Sequence, residues 1–433
     1  MNDGRPLTPL RSVDPNDGPL VDRQVVLRRY SDHVNTSLAR LSRLIGSPVE
    51  VRSAGTKVHA ENGEAYLDCG GFGVFLLGHR HPVVVGAVRN ALDSQPLSTR
   101  LFLNPQLAEA ASLLSGVAPA GLDYVFFTNS GAEATEVGLK LARMSGRKRV
   151  VAMHGGFHGK TLGALSVTGR AQYRDPFAPM LPGVEFVPFG DLAALRAAVG
   201  DDGRRTAVLL EPVQAEGGVI LPPPGYVRAV REYCTAVGAC LILDEIQSGL
   251  GRLGSWWGAD IAGISPDILL VGKILGGGVM PVGAVVATAE MFGPLNDDPL
   301  LHSSTFAGSP IATAAATATI RVLGEEAIIE RSRLLGPQVL ELAHHAVRRC
   351  AGLVNEVRGQ GLLIGIDFVS GEAATEFMIG LLDQHVIPSY SLNSTNVLRL
   401  TPPALLDSDD LDWLSRALDR AATHVVRTLA HAS

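Results

Sequence analysis

Four cysteines in 433 residues, at positions 69, 234, 240 and 350, form no CxxC pair and no framework spacing. That excludes a disulfide-stapled scaffold and makes a reducing compartment the expectation. No stretch approaches 18 consecutive apolar residues, and no signal-peptide pattern opens the chain. A membrane-spanning helix therefore has no basis, and a cytoplasmic protein is expected. Lys and Arg number 37 against 43 Asp and Glu, a net charge of −6, and no basic cluster stands apart from that balance. Nucleic acid is accordingly an unsuitable partner. His79-Arg-His81 has no carboxylate or cysteine set beside it with which to hold a metal ion. There is no internal repeat, and the low-complexity content is confined to Pro222-Pro-Pro224.

What the chain does have is length and apolar residues, 46% of the total, enough for a large core and two or three domains. Residues 1–24 are polar and carry several Pro, Gly and Asp, which reads as a disordered segment or an arm. A helix is predicted from 30 to about 45, then antiparallel strands over 49–69 with Asn62-Gly63 at the hairpin turn. Residues 25–81 would form the N-terminal part of a smaller domain. Over 82–323 apolar strands alternate with helical stretches, the pattern of a mainly parallel sheet covered on both faces. The strand candidates there are 123–128, 149–153, 206–210, 240–244, 268–272 and 283–287. Residues 324–433 read as helices followed by an α+β unit. The expected fold is α/β, a large domain plus a smaller α+β domain built from both ends of the chain.

The chemistry starts at Lys273, which ends the apolar run Asp267-Ile-Leu-Leu-Val-Gly-Lys273 and precedes the glycine turn Gly276-Gly-Gly278. A strand through 269–271 delivers a primary amine to the rim of a core. Burial lowers a lysine's pKa, and a neutral amine can attack an aldehyde. Upstream, Cys240-Leu-Ile-Leu-Asp244 is a second apolar strand, followed by Glu-Ile-Gln247 and a loop marked by Gly249 and Gly251. Asp244 can serve there as a helix cap. It can equally serve as the carboxylate that keeps a pyridine nitrogen protonated, as pyridoxal phosphate (PLP) requires.

Two further segments suit the same cofactor. Tyr124-Val-Phe-Phe-Thr-Asn-Ser130-Gly131-Ala132-Glu133 reads as strand, turn and helix start. Ser130 and Gly131 leave backbone N–H groups at a helix N-terminus, where the dipole favours an anion. The spacings GxxxxGK and GxGxxG are absent at this turn, so it is neither a Walker loop nor a dinucleotide fingerprint. Val137, Leu139 and Leu141 give the helix only part of an apolar face. In Met153-His-Gly-Gly-Phe157-His158-Gly-Lys160, Phe157 sits among glycines, where its ring can stack on a flat heterocycle or pack back on its own domain. Most of these motifs follow strands at their C-terminal ends, where open α/β sheets bind ligands.

In this order the four segments resemble the class III (omega) aminotransferases of PLP fold type I, from about residue 30 to the end of the chain. Within that family the chain looks closest to putrescine aminotransferases. The shared stretches are Gly70-Gly-Phe-Gly-Val-Phe-Leu-Leu-Gly-His-Arg-His-Pro82, Glu216-Gly-Gly-Val-Ile-Leu-Pro-Pro-Pro-Gly-Tyr226 and Gly276-Gly-Gly-Val-Met-Pro281. The resemblance implies that Lys273 holds the cofactor and shuttles the proton, while Asp244 pairs with the pyridine nitrogen. It implies Gln247 near the ring hydroxyl, and Phe157 and Ile246 on the two ring faces. Ser130, Gly131 and Ala132 would hold the phosphate, with His158 and Glu211 completing the surroundings. Thr305 would reach the phosphate of a neighbouring subunit in a homodimer or a dimer of dimers. Ala307 and Ser309 replace the family's usual glycine and asparagine nearby, a mild departure.

Glu216 and Arg399 address the substrate. Arginine suits a carboxylate because its fork donates two parallel hydrogen bonds. In the family, a glutamate matching Glu216 covers the arginine for the amine and swings away for the keto acid; the alternative is a purely structural ion pair. Phe72 stands where ornithine-type relatives carry tyrosine, and with Val74, Phe75 and Leu76 it suggests an apolar wall. The implied reaction is ping-pong, from a diamine or other terminal amine to 2-oxoglutarate or pyruvate. Alternatives are an amino-acid aminotransferase of ornithine, 4-aminobutyrate or acetylornithine type, or a natural-product aminotransferase. A same-fold racemase, decarboxylase or aminomutase is another, and a non-catalytic scaffold or sensor lies furthest off.

Overall fold

Runs such as Thr206-Ala-Val-Leu-Leu210 and Ile268-Leu-Leu-Val271 lack any apolar–polar alternation, so strands made from them must be covered on both faces. A computed structural model describes residues 21–99 and 101–430 and buries every residue of both runs. The N-terminal strands are β1 (Glu50–Ala54), β2 (Lys57–Ala60) and β3 (Ala65–Asp68). Seven more follow: β4 (Tyr124–Thr128), β5 (Arg149–Met153), β6 (Val184–Val187), β7 (Thr206–Leu210), β8 (Cys240–Asp244), β9 (Ile268–Val271) and β10 (Gly283–Ala287). These seven form one sheet in the order β4-β10-β9-β8-β7-β5-β6. From β9 to β6 all neighbours are parallel, and β10 runs antiparallel to both of its own. The fold is thus α/β with a mixed, mainly parallel sheet. β6 is the strand that the sequence reading omits, a four-residue edge strand with one buried residue.

Alternate residues of these strands point into two apolar cores. Val151, Val208, Leu241, Leu243, Leu269 and Val271 join one, and Val150, Leu209, Ile242, Ile268 and Leu270 join the other. The helix Gly131–Met144 closes the second, and it is buried more completely than its apolar residues suggest, Thr135 and Gly138 included. Gly138 makes this possible: a Cβ there would lie 2.8 Å from Leu270 Cδ2. The first core continues to β11 (Val354–Gln360) and β12 (Leu363–Phe368) through Val357, Ile364 and Ile366.

β13 (Val386–Ile387) pairs parallel with β3, joining the two ends of the chain in one small sheet. β14 (Ser389–Ser391) and β15 (Ser394–Leu400) form a hairpin in a third sheet, ordered β11-β12-β15-β14. Asn62-Gly63 does lie in the turn between β2 and β3, with Gly63 at φ 86°. The N-terminal helix differs from the expectation. It begins at Arg23, passes through a π-turn at Tyr30–Val34, and restarts at Thr36–Leu44. Asn35 causes the restart, because its extended backbone and side-chain acceptor cap the second helix at the Leu38 N–H. Residues 1–20 of the expected arm lie outside the described residues, and residues 23 and 24 are helical. Among the described residues no helix is long and apolar enough to cross a membrane.

Candidate active site

The C-terminal ends of the parallel strands lie side by side, so a polar residue just past each strand meets the others. β8 ends in Asp244, β7 leads to Glu211, β9 leads through Gly272 to Lys273, and β5 leads to Phe157 and His158. Together with Gly131, Ala132, Glu216, Ile246 and Gln247, these residues line one cavity of about 220 Å³. A larger cleft, about 740 Å³, lies beside Arg23, Tyr30 and β1, away from these strand ends. Of the other sequence candidates, Arg399 sits behind Glu216, and Ser130 caps the helix Gly131–Met144. Phe72 is exposed, in an arch where Gly73 approaches the side chain of Gln247. Thr305 is exposed and does not line the cavity.

Lys273 adopts φ 43°, in the left-handed region that an L-residue occupies at a cost of about 1–2 kcal/mol. The strain belongs to the abrupt turn from β9 into a single 3-10 turn, which aims the amine back across the strand ends. Burial pushes the Lys273 pKa below the ordinary lysine range. Glu216 opposes that shift, Arg399 adds to it, and Asp244 and Glu211 oppose it more weakly. Glu211 is pushed well above the ordinary carboxylate range, first by burial and then by the charge of Asp244. Its Oε2 accepts the Phe157 N–H at 3.2 Å, which acts in the other direction.

Asp244 is pinned at both oxygens. Oδ1 accepts the Ile246 N–H at 3.0 Å, and Oδ2 lies 2.7 Å from His158 Nδ1. Both side chains are buried. An aspartate carboxylate can only accept, so the imidazole donates from Nδ1. His158 was a sequence candidate, but nothing in the chain signalled this pairing across 86 residues.

The start of the helix Gly131–Met144 is a capped turn at the edge of the cavity. Ser130 Oγ accepts the Glu133 N–H at 3.2 Å, and Glu133 Oε2 accepts both N–H groups of Asn129 at 2.9 Å. A helix's first N–H groups have no intrahelical acceptor, and the first two residues of this helix, Gly131 and Ala132, line the cavity. A Cβ at Gly131 would meet Ile246 Cγ2 at 2.9 Å, so glycine lets this turn close on Ile246.

Three residues around the cavity carry buried polar atoms without hydrogen bonds: His158 Nε2, both amide atoms of Gln247, and Nε and Nη1 of Arg399. Arg399 Nη1 does stand 2.7 Å from Glu216 Oε1. Nη1 is thus covered by the carboxylate, Nη2 donates to Tyr390 O at 3.2 Å, and Nε has no partner. A polar ligand in this cavity would give His158 Nε2 and the Gln247 amide the partners they lack. Sequence reasoning also missed the turn at Leu392 and Asn393, which touches Glu216 from the far end of the chain.

A sequence model of the family described as Aminotransferase class-III matches residues 46–422. Among solved structures, the ornithine aminotransferase from Toxoplasma gondii ME49 is 28% identical and superposes with a TM-score of 0.83, covering 94% of this chain and 100% of that one. A second structure of that enzyme, crystallised with oxidised glutathione, has partial occupancy of PLP at its active site; it matches at 28% identity, TM-score 0.82, covering 94% and 99%. A thermostable (S)-enantioselective omega-transaminase from Thermomicrobium roseum is 26% identical, TM-score 0.84, covering 93% and 98%.

Proposed function

This chain belongs to the class III aminotransferases, PLP-dependent enzymes of fold type I, and from that premise we propose that it takes the terminal amino group of a diamine or similar aliphatic amine and gives it to a keto acid. The residues at hand fit the cofactor. The unpartnered Gln247 amide and His158 Nε2 are polar atoms in search of a ligand. Asp244 is oriented by two hydrogen bonds, and the amine of Lys273 has lowered basicity. In this reading Lys273 holds PLP, Asp244 faces the ring nitrogen, and Phe157 and Ile246 flank the ring. Gln247 meets the ring hydroxyl, and Ser130, Gly131 and Ala132 take the phosphate. Bound there, PLP supplies an electron sink for the carbanion left when a proton leaves the substrate carbon.

The chain's own residues do the rest. Lys273 Nζ takes that proton and returns it elsewhere, which its lowered pKa suits at neutral pH. His158 Nδ1 keeps Asp244 aligned. Glu216 covers Arg399 when an amine without a nearby carboxylate enters, and yields the guanidinium when a keto acid arrives. The observation that carries transamination is this pair: a buried arginine masked by a carboxylate beside Lys273. A racemase needs no second, carboxylate-bearing substrate.

Phe72 supports the amine donor, because it offers no hydrogen bond to an amino-acid head group. Phe75 and Leu76 do not extend that wall as expected, since Phe75 stacks on His79, Leu76 is buried in the core, and neither lines the cavity. Putrescine or cadaverine as donor, with 2-oxoglutarate or pyruvate as acceptor, is the specific reading. The 28% identity to an ornithine aminotransferase favours one second reading, an amino-acid donor of that type. We also assign a homodimer or dimer of dimers. Leu97, Leu101, Phe102, Leu103, Leu300, Leu301 and Phe306 are all exposed large apolar side chains. Such a patch fits a second copy, and Thr305 within it would serve the partner's cofactor.

The test is a half-reaction: PLP-loaded protein mixed with single amines and no acceptor, followed by the cofactor's absorbance. Conversion by putrescine or cadaverine is expected. Reaction with α-amino acids alone would replace the diamine reading with an amino-acid aminotransferase, and a band shift without conversion would point to an epimerase.

A further inference from the structure

Glu216 is held on two sides. Its Oε1 faces Arg399 at 2.7 Å, and its Oε2 accepts the backbone N–H of Leu392 at 2.8 Å. Its main-chain carbonyl accepts the Asn393 N–H, also at 2.8 Å. Leu392 and Asn393 form the turn between β14 and β15, and β15 is the strand that carries Arg399. The hairpin therefore carries both the arginine and a second tether for the carboxylate that masks it.

The turn is in turn fastened to the large sheet's loops. Leu392 O accepts Arg170 Nη1 at 2.5 Å and the Tyr173 hydroxyl at 2.6 Å. Asn393 Nδ2 donates to Gly155 O at 2.8 Å and to Gly156 O at 3.1 Å, on the loop that leads to Phe157 and His158. Arg170 and Lys160 both lie against the Tyr173 ring, 5.2 and 4.5 Å from its centroid, which holds Tyr173 in place. None of these contacts reaches the cavity, yet all of them fix the N–H that Glu216 uses.

We propose that the Leu392–Asn393 turn is a latch that keeps Glu216 over Arg399, with Arg170 and Tyr173 as its positioning residues. The latch rests on the gate reading given above and sets how readily the site passes from amine to keto acid. An incoming carboxylate replaces Glu216 on Arg399, but it offers nothing to the Leu392 N–H. Opening therefore costs a charge-assisted hydrogen bond that closing restores. A weaker latch lowers that cost for the acid alone, since the amine meets the closed gate.

Tyr173→Phe removes the hydroxyl and keeps the ring, and Arg170→Gln removes the charge. In PLP-loaded enzyme, each variant should bind succinate about 3- to 10-fold more tightly by calorimetry, with the amine half-reaction unchanged within about twofold. The Leu392 amide supplies a second readout. Its hydrogen exchange should quicken when succinate is added to the wild type, and should already be fast in both variants without it. Unchanged succinate affinity and unchanged Leu392 exchange in both variants would overturn the latch, as would equal loss in both half-reactions. The gate itself is checked separately: if Arg399→Ala leaves succinate binding intact, it is the gate reading that fails.

Discussion

Two regions supply the charges of this cavity, and they do so in different ways. The large sheet offers Asp244, Glu211 and Lys273 at the ends of adjacent parallel strands, fixed by the same ladder that builds the core. The C-terminal hairpin offers Arg399 from within a strand, flanked by the fully buried Leu398 and Leu400, and reaches the cavity through Glu216. The first set is held by one rigid element, which suits groups that must keep a cofactor in one position. The second depends on two units meeting, which suits a contact that must open and close. Under the proposed function, cofactor binding and substrate selection would thus fall to different units of the fold.

Removing a group from each region tests that division most severely. Lys273→Ala should abolish turnover altogether while circular dichroism and melting show a folded protein; measurable turnover would remove Lys273 from its assigned role. Arg399→Ala should damage the keto-acid half-reaction by about 2–5 kcal/mol, the cost of stripping a charged group of its partner. The amine half-reaction should change far less, and equal damage to both halves would make the hairpin arginine structural.

Glu245 sharpens the comparison on the rim side. It follows Asp244 but turns inward, where Oε1 accepts the Ala259 N–H at 2.7 Å and Oε2 the Ser248 hydroxyl at 2.6 Å. Burial outweighs these bonds and raises its pKa from 4.5 to about 7. The folded protein then holds a proton that the unfolded chain has released, so stability is full below the lower value and falls as pH rises towards about 7. That loss is roughly 3 kcal/mol. Melting temperatures between about pH 5 and pH 8 should show the decline, and Glu245→Gln should flatten it; a variant as steep as the wild type would assign the slope elsewhere.

The smallest effect compares packing. Gly138→Ala would press a methyl group onto Leu270 and should cost about 1–3 kcal/mol. Gly352→Ala, near the start of the C-terminal sheet, meets nothing within 4 Å and should melt within about 0.5 kcal/mol of the wild type. Comparable losses at both positions would mean the large sheet is no more tightly packed than its neighbour.

Six of the seven strands of the large sheet were legible because each is a mostly apolar run, and such a run has only a doubly covered position open to it. Asp244, Glu211 and Lys273 inherit their placement from that pattern. β6 was not legible, since Val184-Glu-Phe-Val187 is short and half-exposed at a sheet edge. Nor was the break at Asn35, where a local cap interrupts an otherwise continuous helical stretch. Arg399 and Glu216 could be named from their surroundings in the chain, but their approach to 2.7 Å could not.

By itself, then, the sequence determined six of the seven strands of the large sheet, the residues at their ends and the chemistry those residue types support, because periodicity and turn chemistry act over a few residues. Only the tertiary structure decided that His158 meets Asp244 across 86 residues and that Leu392 meets Glu216 across 176. Those contacts follow from how the sheets and loops pack, and a carboxylate's partner at that distance leaves no local mark in the chain.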